Sequence, residues 1–124
     1  MDSKAAVLMD VNAVMAEINK SYAYDAFNGT PTYPYFIGSY REVGRSPSAG
    51  RVDGLMTITG WDKADSIARL LTAEEAVKAA FNGRLKAVEH LTVTFDQAGG
   101  YELPVDAAKL KRVVINIATR VYGE

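Results

Sequence analysis

Residues 33–61 read YPYFIGSYREVGRSPSAGRVDGLMTITGW, and the fold turns on how this stretch is divided. Its first part is rich in residues that favour strands, with Pro34 near the start, where a missing amide is tolerated. A first strand is expected from Tyr33 to Val43. The middle, Gly44 to Gly50 (GRSPSAG), is small and polar and reads as a mobile connecting loop. Beyond it, Val52, Met56 and Ile58 fall on one face and Leu55, Thr57, Thr59 and Trp61 on the other, which predicts a second strand from Val52 to Trp61. Together these segments make one long hairpin.

Upstream, apolar side chains recur at Val7, Leu8, Val11, Val14, Met15 and Ile18, the spacing of a single helical face. Asp2 or Ser3 can cap the first turn, and the pattern stops near Lys20 and Ser21. Such a stripe is unstable alone in water, so it must cover a sheet or another helix. Between this helix and Arg41 fall Tyr22, Tyr24, Phe27, Tyr33, Tyr35, Phe36 and Tyr40, with Asn28 to Pro31 (NGTP) reading as a turn. A stacking platform for bases would interleave cations with these rings, and none precedes Arg41, so the segment is read as strand and core.

Downstream, Asp62 to Ser66 (DKADS) is a helix-initiating cluster, and Thr72 with Glu75 has the spacing of a capping box for a helix that includes Ala73 to Phe81, with room for a short preceding turn over Ile67 to Leu71. Asn82-Gly83 is a stop signal. Asp62 with Asp65, and Glu74 with Glu75, are imaginable as acid–base or cation pairs, but helix-start acids need no chemistry beyond the helix dipole. Leu91, Val93 and Phe95 alternate with Thr92, Thr94 and Asp96 as a third strand, and Gln97 to Gly100 reads as the turn that ends it. After Tyr101 to Val105 and the polar Asp106 to Lys109, a last strand runs from Leu110 to Tyr122. It places Val113, Ile115, Ile117 and Val121 on one side and Arg112, Asn116 and Arg120 on the other. The expected fold is one α+β domain over residues 1–124, in the order α-β-β-α-β-β: a four-stranded, mainly antiparallel sheet with both helices packed on one face.

Composition narrows the function. Fourteen Lys and Arg stand against 15 Asp and Glu, for a net charge of −1, which gives no general pull toward phosphate backbones or anionic membranes. There is no cysteine and His90 is the one histidine, so disulfides, thiolate sites and His-rich metal sites are excluded. No phosphate-binding loop, dinucleotide fingerprint, nucleophile elbow or zinc-protease motif is present. The expectation is a chain that is not an enzyme, holds no cofactor and, with neither a basic leader nor a long apolar run, resides in the cytoplasm.

The order of features is distinctive. An amphipathic first helix, the aromatic stretch TYPYFIG (Thr32 to Gly38), a polar loop, MTITGW (Met56 to Trp61), an acidic-capped helix and LKRVVINIATRVY (Leu110 to Tyr122) resemble the small tail-completion or tail-terminator proteins of long-tailed phages, also carried in prophages. The resemblance implies a subunit, made in a bacterial cytoplasm and ending in the virion tail or neck, that forms a ring, typically of six. That ring caps the tail tube, stops its polymerisation and meets the head connector. The implied partners are further copies of the chain, the tail-tube protein and a head-connector protein, with no membrane and no sequence-specific nucleic acid. Loop character and charge, not the resemblance, single out Arg41, Arg45, Arg51 and Asp53 on the hairpin and Arg112, Asn116 and Arg120 on the last strand as candidate ring or tube contacts. The alternatives are another neck or head-closure component, and a cellular peptide- or ligand-binding module with a pocket lined by Tyr24, Phe27 and Tyr35.

Overall fold

The computed structural model describes residues 1–19, 21–27, 29–103 and 109–123, without the side chains of residues 97 and 98. The helix end expected at Lys20, the Asn28 corner of the turn, and the stretch from Pro104 to Ala108 lie outside the described residues. Helix α1 spans Ser3–Ile18 and is capped by Asp2, whose carboxylate accepts a 2.8 Å bond from the Ala5 amide. At its other end Asn19 donates its backbone amide to the Met15 carbonyl, accepts from the Ser21 amide at 2.7 Å and donates from its side chain to the Pro34 carbonyl at 3.2 Å. One residue thus ends the helix and ties it to the chain that enters the hairpin.

The strands are β1 (Tyr22–Tyr24), β2 (Tyr35–Ser46), β3 (Arg51–Lys63), β4 (Leu85–Val88), β5 (Leu91–Leu103) and β6 (Leu110–Tyr122), with helix α2 (Ala68–Phe81) between β3 and β4. They form one sheet in the order β1-β2-β3-β6-β5-β4. The expected four-stranded, mainly antiparallel sheet is therefore corrected in strand number and by a parallel strand at one edge. Among the described residues the sheet has six strands and is mixed, because β1 runs parallel to β2, Tyr22 opposite Phe36 and Tyr24 opposite Gly38. Three residues are too few to show alternation, and β4 hides directly behind the Gly83 stop, where φ is +74°.

Two further expectations fail for local reasons. Gln97 to Gly100 is no turn, since β5 runs through it and absorbs a register shift between Asp96 and Gly99 against β6. Nor is Gly44 to Gly50 a free loop: β2 continues to Ser46, a 3₁₀ turn covers Pro47–Ala49, and the Gly50 carbonyl accepts from the Gly123 amide at 2.9 Å. The second helix also starts earlier than its capping-box signal, with Thr72 inside it donating back to the Ala68 carbonyl at 3.0 Å.

The helix-side face of the sheet forms the core with both helices, around Val7, Val11, Met15, Leu70, Phe81, Phe36, Met56, Ile58, Phe95, Ile115 and Ile117. Three buried glycines on this face, Gly38, Gly54 and Gly60, leave gaps that aromatic side chains fill. The Tyr22 hydroxyl end lies over Gly38, the Tyr40 ring over Gly54, and the Phe36 ring over Gly60, its direct partner across the β2–β3 ladder. The aromatic segment is thus mostly gap-filling for its own hairpin. Burial raises the Tyr22 hydroxyl pKa well above its ordinary value, with the neighbouring Tyr24 adding to it.

Carboxylates hold the helices to the sheet. Asp10 of α1, its side chain 2% exposed, receives both arms of the Arg84 guanidinium at 2.8 and 2.9 Å. Asp62, fully buried at the end of β3, is bound by Arg69 of α2 through Nε at 2.9 Å, and that hydrogen bond holds its carboxyl below the usual carboxylate range. Asp62 and Asp65 are thus not helix-start acids, and Asp65 instead pairs with Lys109 at 3.1 Å. Glu75 pairs with Lys78 at 3.0 Å, whereas Glu74 is buried over Gly100 of β5. Burial pushes the Glu74 carboxyl up, against the pull of Lys78.

Two outcomes follow from this packing. Gly60→Ala drives a methyl into the enclosed Phe36 ring and should cost about 1–3 kcal/mol, whereas Gly44→Ala, with open space around it, should cost under about 1 kcal/mol. Urea unfolding separates the two. Because the folded-state Glu74 pKa is raised, its contribution is complete below the unfolded pKa and is lost as pH rises through the folded one. Glu74→Gln should therefore gain on the wild type as pH climbs from the acidic carboxylate range to neutrality, read as diverging urea midpoints.

Candidate functional site

The face of the sheet turned away from the helices is built by register. Residues directly opposite in the ladders share a face, so the pairings lay out rows across the strands. At one end lies the row Tyr35, Trp61, Arg112, Leu103, followed by Ile37, Thr59, Val114, Tyr101. The middle row is Ser39, Thr57, Asn116, Gly99, where the Thr57 hydroxyl donates to the Asn116 side-chain oxygen at 3.2 Å. At the other end run Gly44, Asp53, Arg120, Thr94, Leu85 and then Ser46, Arg51, Tyr122, Thr92, Ala87.

The candidate contact residues do not form one patch. Arg41, Arg51, Asp53, Arg112, Asn116 and Arg120 all lie on this outer face, but Arg112 and Arg120 are eight residues apart on β6, about 27 Å along the strand. Arg51 and Asp53 are paired at 3.0 Å, and Asp53 stands opposite Arg120, which makes a compact charged end to the sheet. Arg45 lies elsewhere. A bulge between Glu42 and Gly44 inserts Val43 as an extra residue, so Arg45 falls opposite inward-facing Val52 and turns to the helix side. There it pairs with Glu42 at 2.8 Å beside the start of α1, in a cleft of about 250 Å³ lined by Asp2, Ser3, Lys4, Tyr40 and Val52.

The opposite end of the outer face is aromatic. Tyr35 stacks on Trp61 at 5.1 Å between centroids, meets Phe27 edge-on at 5.5 Å and touches Tyr33 at 5.3 Å. Tyr24 takes no part in this cluster. It lines a separate groove of about 590 Å³ between α1 and β1 with Asn12, Ala16, Asn19, Tyr22 and Ala23, so among the described residues Tyr24 stands apart from the Phe27–Tyr35 cluster with which a shared pocket was imagined. Val43, Leu85 and Tyr101, at 63%, 67% and 50% exposure, are apolar surface that the sequence reading did not single out. The weak signal for Tyr101 was its place two residues beyond Gly99 on a strand mistaken for a turn.

Among the described residues no three of His, Asp and Glu gather where a metal could be held, and His90 is exposed in the turn between β4 and β5. No helix among them is long and apolar enough to cross a membrane. What the outer face presents is contact chemistry: guanidinium groups able to fork onto carboxylates at one end, stacked rings at the other, and hydroxyl and amide groups between.

The chain matches no family model and no curated protein. Among solved structures it is similar to a chain in the virion of a native gene transfer agent (GTA) particle, with a TM-score of 0.61 over 98% of this chain and 95% of that one, at 20% sequence identity. At that identity the likeness is one of fold.

Arg51 and Arg120 lie at the edge of the outer face and take little part in the core, so Arg51→Ala and Arg120→Ala should each change unfolding free energy by no more than about 0.5 kcal/mol. Urea titration of the two variants checks this, and a loss several times larger would make these residues structural.

Proposed function

We propose that this chain is a structural, non-catalytic subunit of a phage-like particle. In this reading copies of it close into a ring, of six by the family resemblance, on the end of a tail tube, stop the tube's polymerisation and present a surface to the head connector. The observation that carries the reading is the fold shared, nearly end to end, with a chain in a GTA virion. The order of sequence features that resembles tail-completion proteins supports it independently. Its partners are then other copies, the tail-tube protein and the connector, and its place is the bacterial cytoplasm during assembly and the tail or neck afterwards.

The geometry suits such a task. A closed ring needs two different surfaces on each copy, one to give and one to receive. The open six-stranded sheet has unlike edges, β1 with the upper part of β2 on one side and β4 on the other. Its long outer face offers rings at one end and paired charges at the other. With a net charge of −1, recognition would rest on shape and on a few placed arginines.

Negative-stain microscopy of tails assembled with and without the protein tests this. Tubes of uncontrolled length without it, and of uniform length when it is restored, are expected. Uniform tubes in its absence would remove the tail-capping role.

A further inference from the structure

The two most exposed large apolar side chains among the described residues are Leu85 and Val43, at 67% and 63%. They occupy opposite edges of the same sheet. Leu85 begins β4, the last strand on one side. Val43 is the bulged residue of β2, in the part of that strand past Gly38 where β1 no longer pairs with it. The row Gly44, Asp53, Arg120, Thr94, Leu85 runs straight across the sheet and joins the two positions at one level.

Each apolar residue has a charged neighbour, and the charges are opposite. Glu42 precedes Val43, and Lys86 follows Leu85. Both lie on the helix-side face, Glu42 opposite Gly54 and Lys86 opposite Val93, and both are exposed. Glu42 holds Arg45 in a surface pair, a contact worth little and readily exchanged. An apolar side chain at a sheet edge is a standing invitation to association, which proteins usually blunt. Here the bulge and the short β4 oppose an extended ladder, yet leave the two side chains presented.

We infer that copies of this chain associate head to tail, the Val43 edge of one against the Leu85 edge of the next, with Glu42 facing Lys86 across the contact. Rotation together with displacement, the operation that closes a ring, is what sets these two edges against each other, and the interface is heterologous. The inference deepens the ring reading above and rests on it for the identity of the partner as a second copy.

The absence of native cysteine gives a clean test. Val43→Cys, Leu85→Cys and the double variant, all at well-exposed positions, are cross-linked by oxidation in solution and on tail tubes. The double variant should give a ladder of covalent oligomers, an equimolar mixture of the single variants should stop at dimers, and each single variant should stay uncross-linked. Glu42→Lys in the double-cysteine background should lose the ladder, and adding Lys86→Glu should restore it. Single variants that cross-link as well as the double, or a double variant that stays monomeric in both settings, would overturn the contact. If that monomeric double variant still sets tail length, the ring closes elsewhere. If the ladder forms but deleting the protein leaves tail length unchanged, the contact stands and the tail-capping role falls.

Discussion

The hairpin of β2 and β3 depends on rings laid over glycines. Gly38, Gly54 and Gly60 remove side chains from the buried face at three places, and Tyr22, Tyr40 and Phe36 enter those spaces from β1 and β2. Phe36 is fully buried, which contributes roughly 1.5–3 kcal/mol, while Tyr22 and Tyr40 are half-buried against the same core. The same arrangement explains why a three-residue strand is worth forming. β1 has few ladder bonds to offer, but it carries Tyr22 into position over Gly38 and Tyr24 within reach of the Tyr40 amide, which donates to its hydroxyl at 3.2 Å.

Above this layer the helices are fixed by charge as well as by packing. Asp10–Arg84 links the middle of α1 to the residue before β4, and Asp62–Arg69 links the end of β3 to the first turn of α2. Each buried carboxylate is met by two arms of a guanidinium, the geometry in which desolvation is best offset. Helices and ion pairs cover the inner face of the sheet.

The sequence was most informative where alternation was long and sharp. The amphipathic pattern of Val7 to Ile18 marked α1, and the alternations around Met56 and Ile115 marked β3 and β6 with their inward faces correct. Short strands escaped because three or four residues carry no period, as in β1 and β4. Gly99-Gly100 resembled a turn because a glycine pair allows one, but here Gly100 makes room for the buried Glu74 carboxylate. Thr72 and Glu75 imitate a capping box, and Ala68 to Leu71 nonetheless joins the helix because Leu70 completes its buried face. For the candidate site, the face was legible for Arg112, Asn116 and Arg120 on the last strand, whereas Arg41, Arg51 and Asp53 stood out by loop character and charge alone. The face of Arg45 was not legible, since a bulge changes which face every later residue meets and leaves no mark in residue type.

That one inserted residue at Val43 works as a parity switch for electrostatics. In an unbroken ladder Glu42 would keep Gly54 as its partner, Val43 would face Asp53, and Arg45 would stand opposite Arg51. Arg41, Arg45, Arg51 and Arg120 would then share one surface with Asp53 as their counterweight. With the insertion, Arg45 is retired to the far side and held there by Glu42. The insertion thus divides the arginines of the hairpin between the two faces of the sheet.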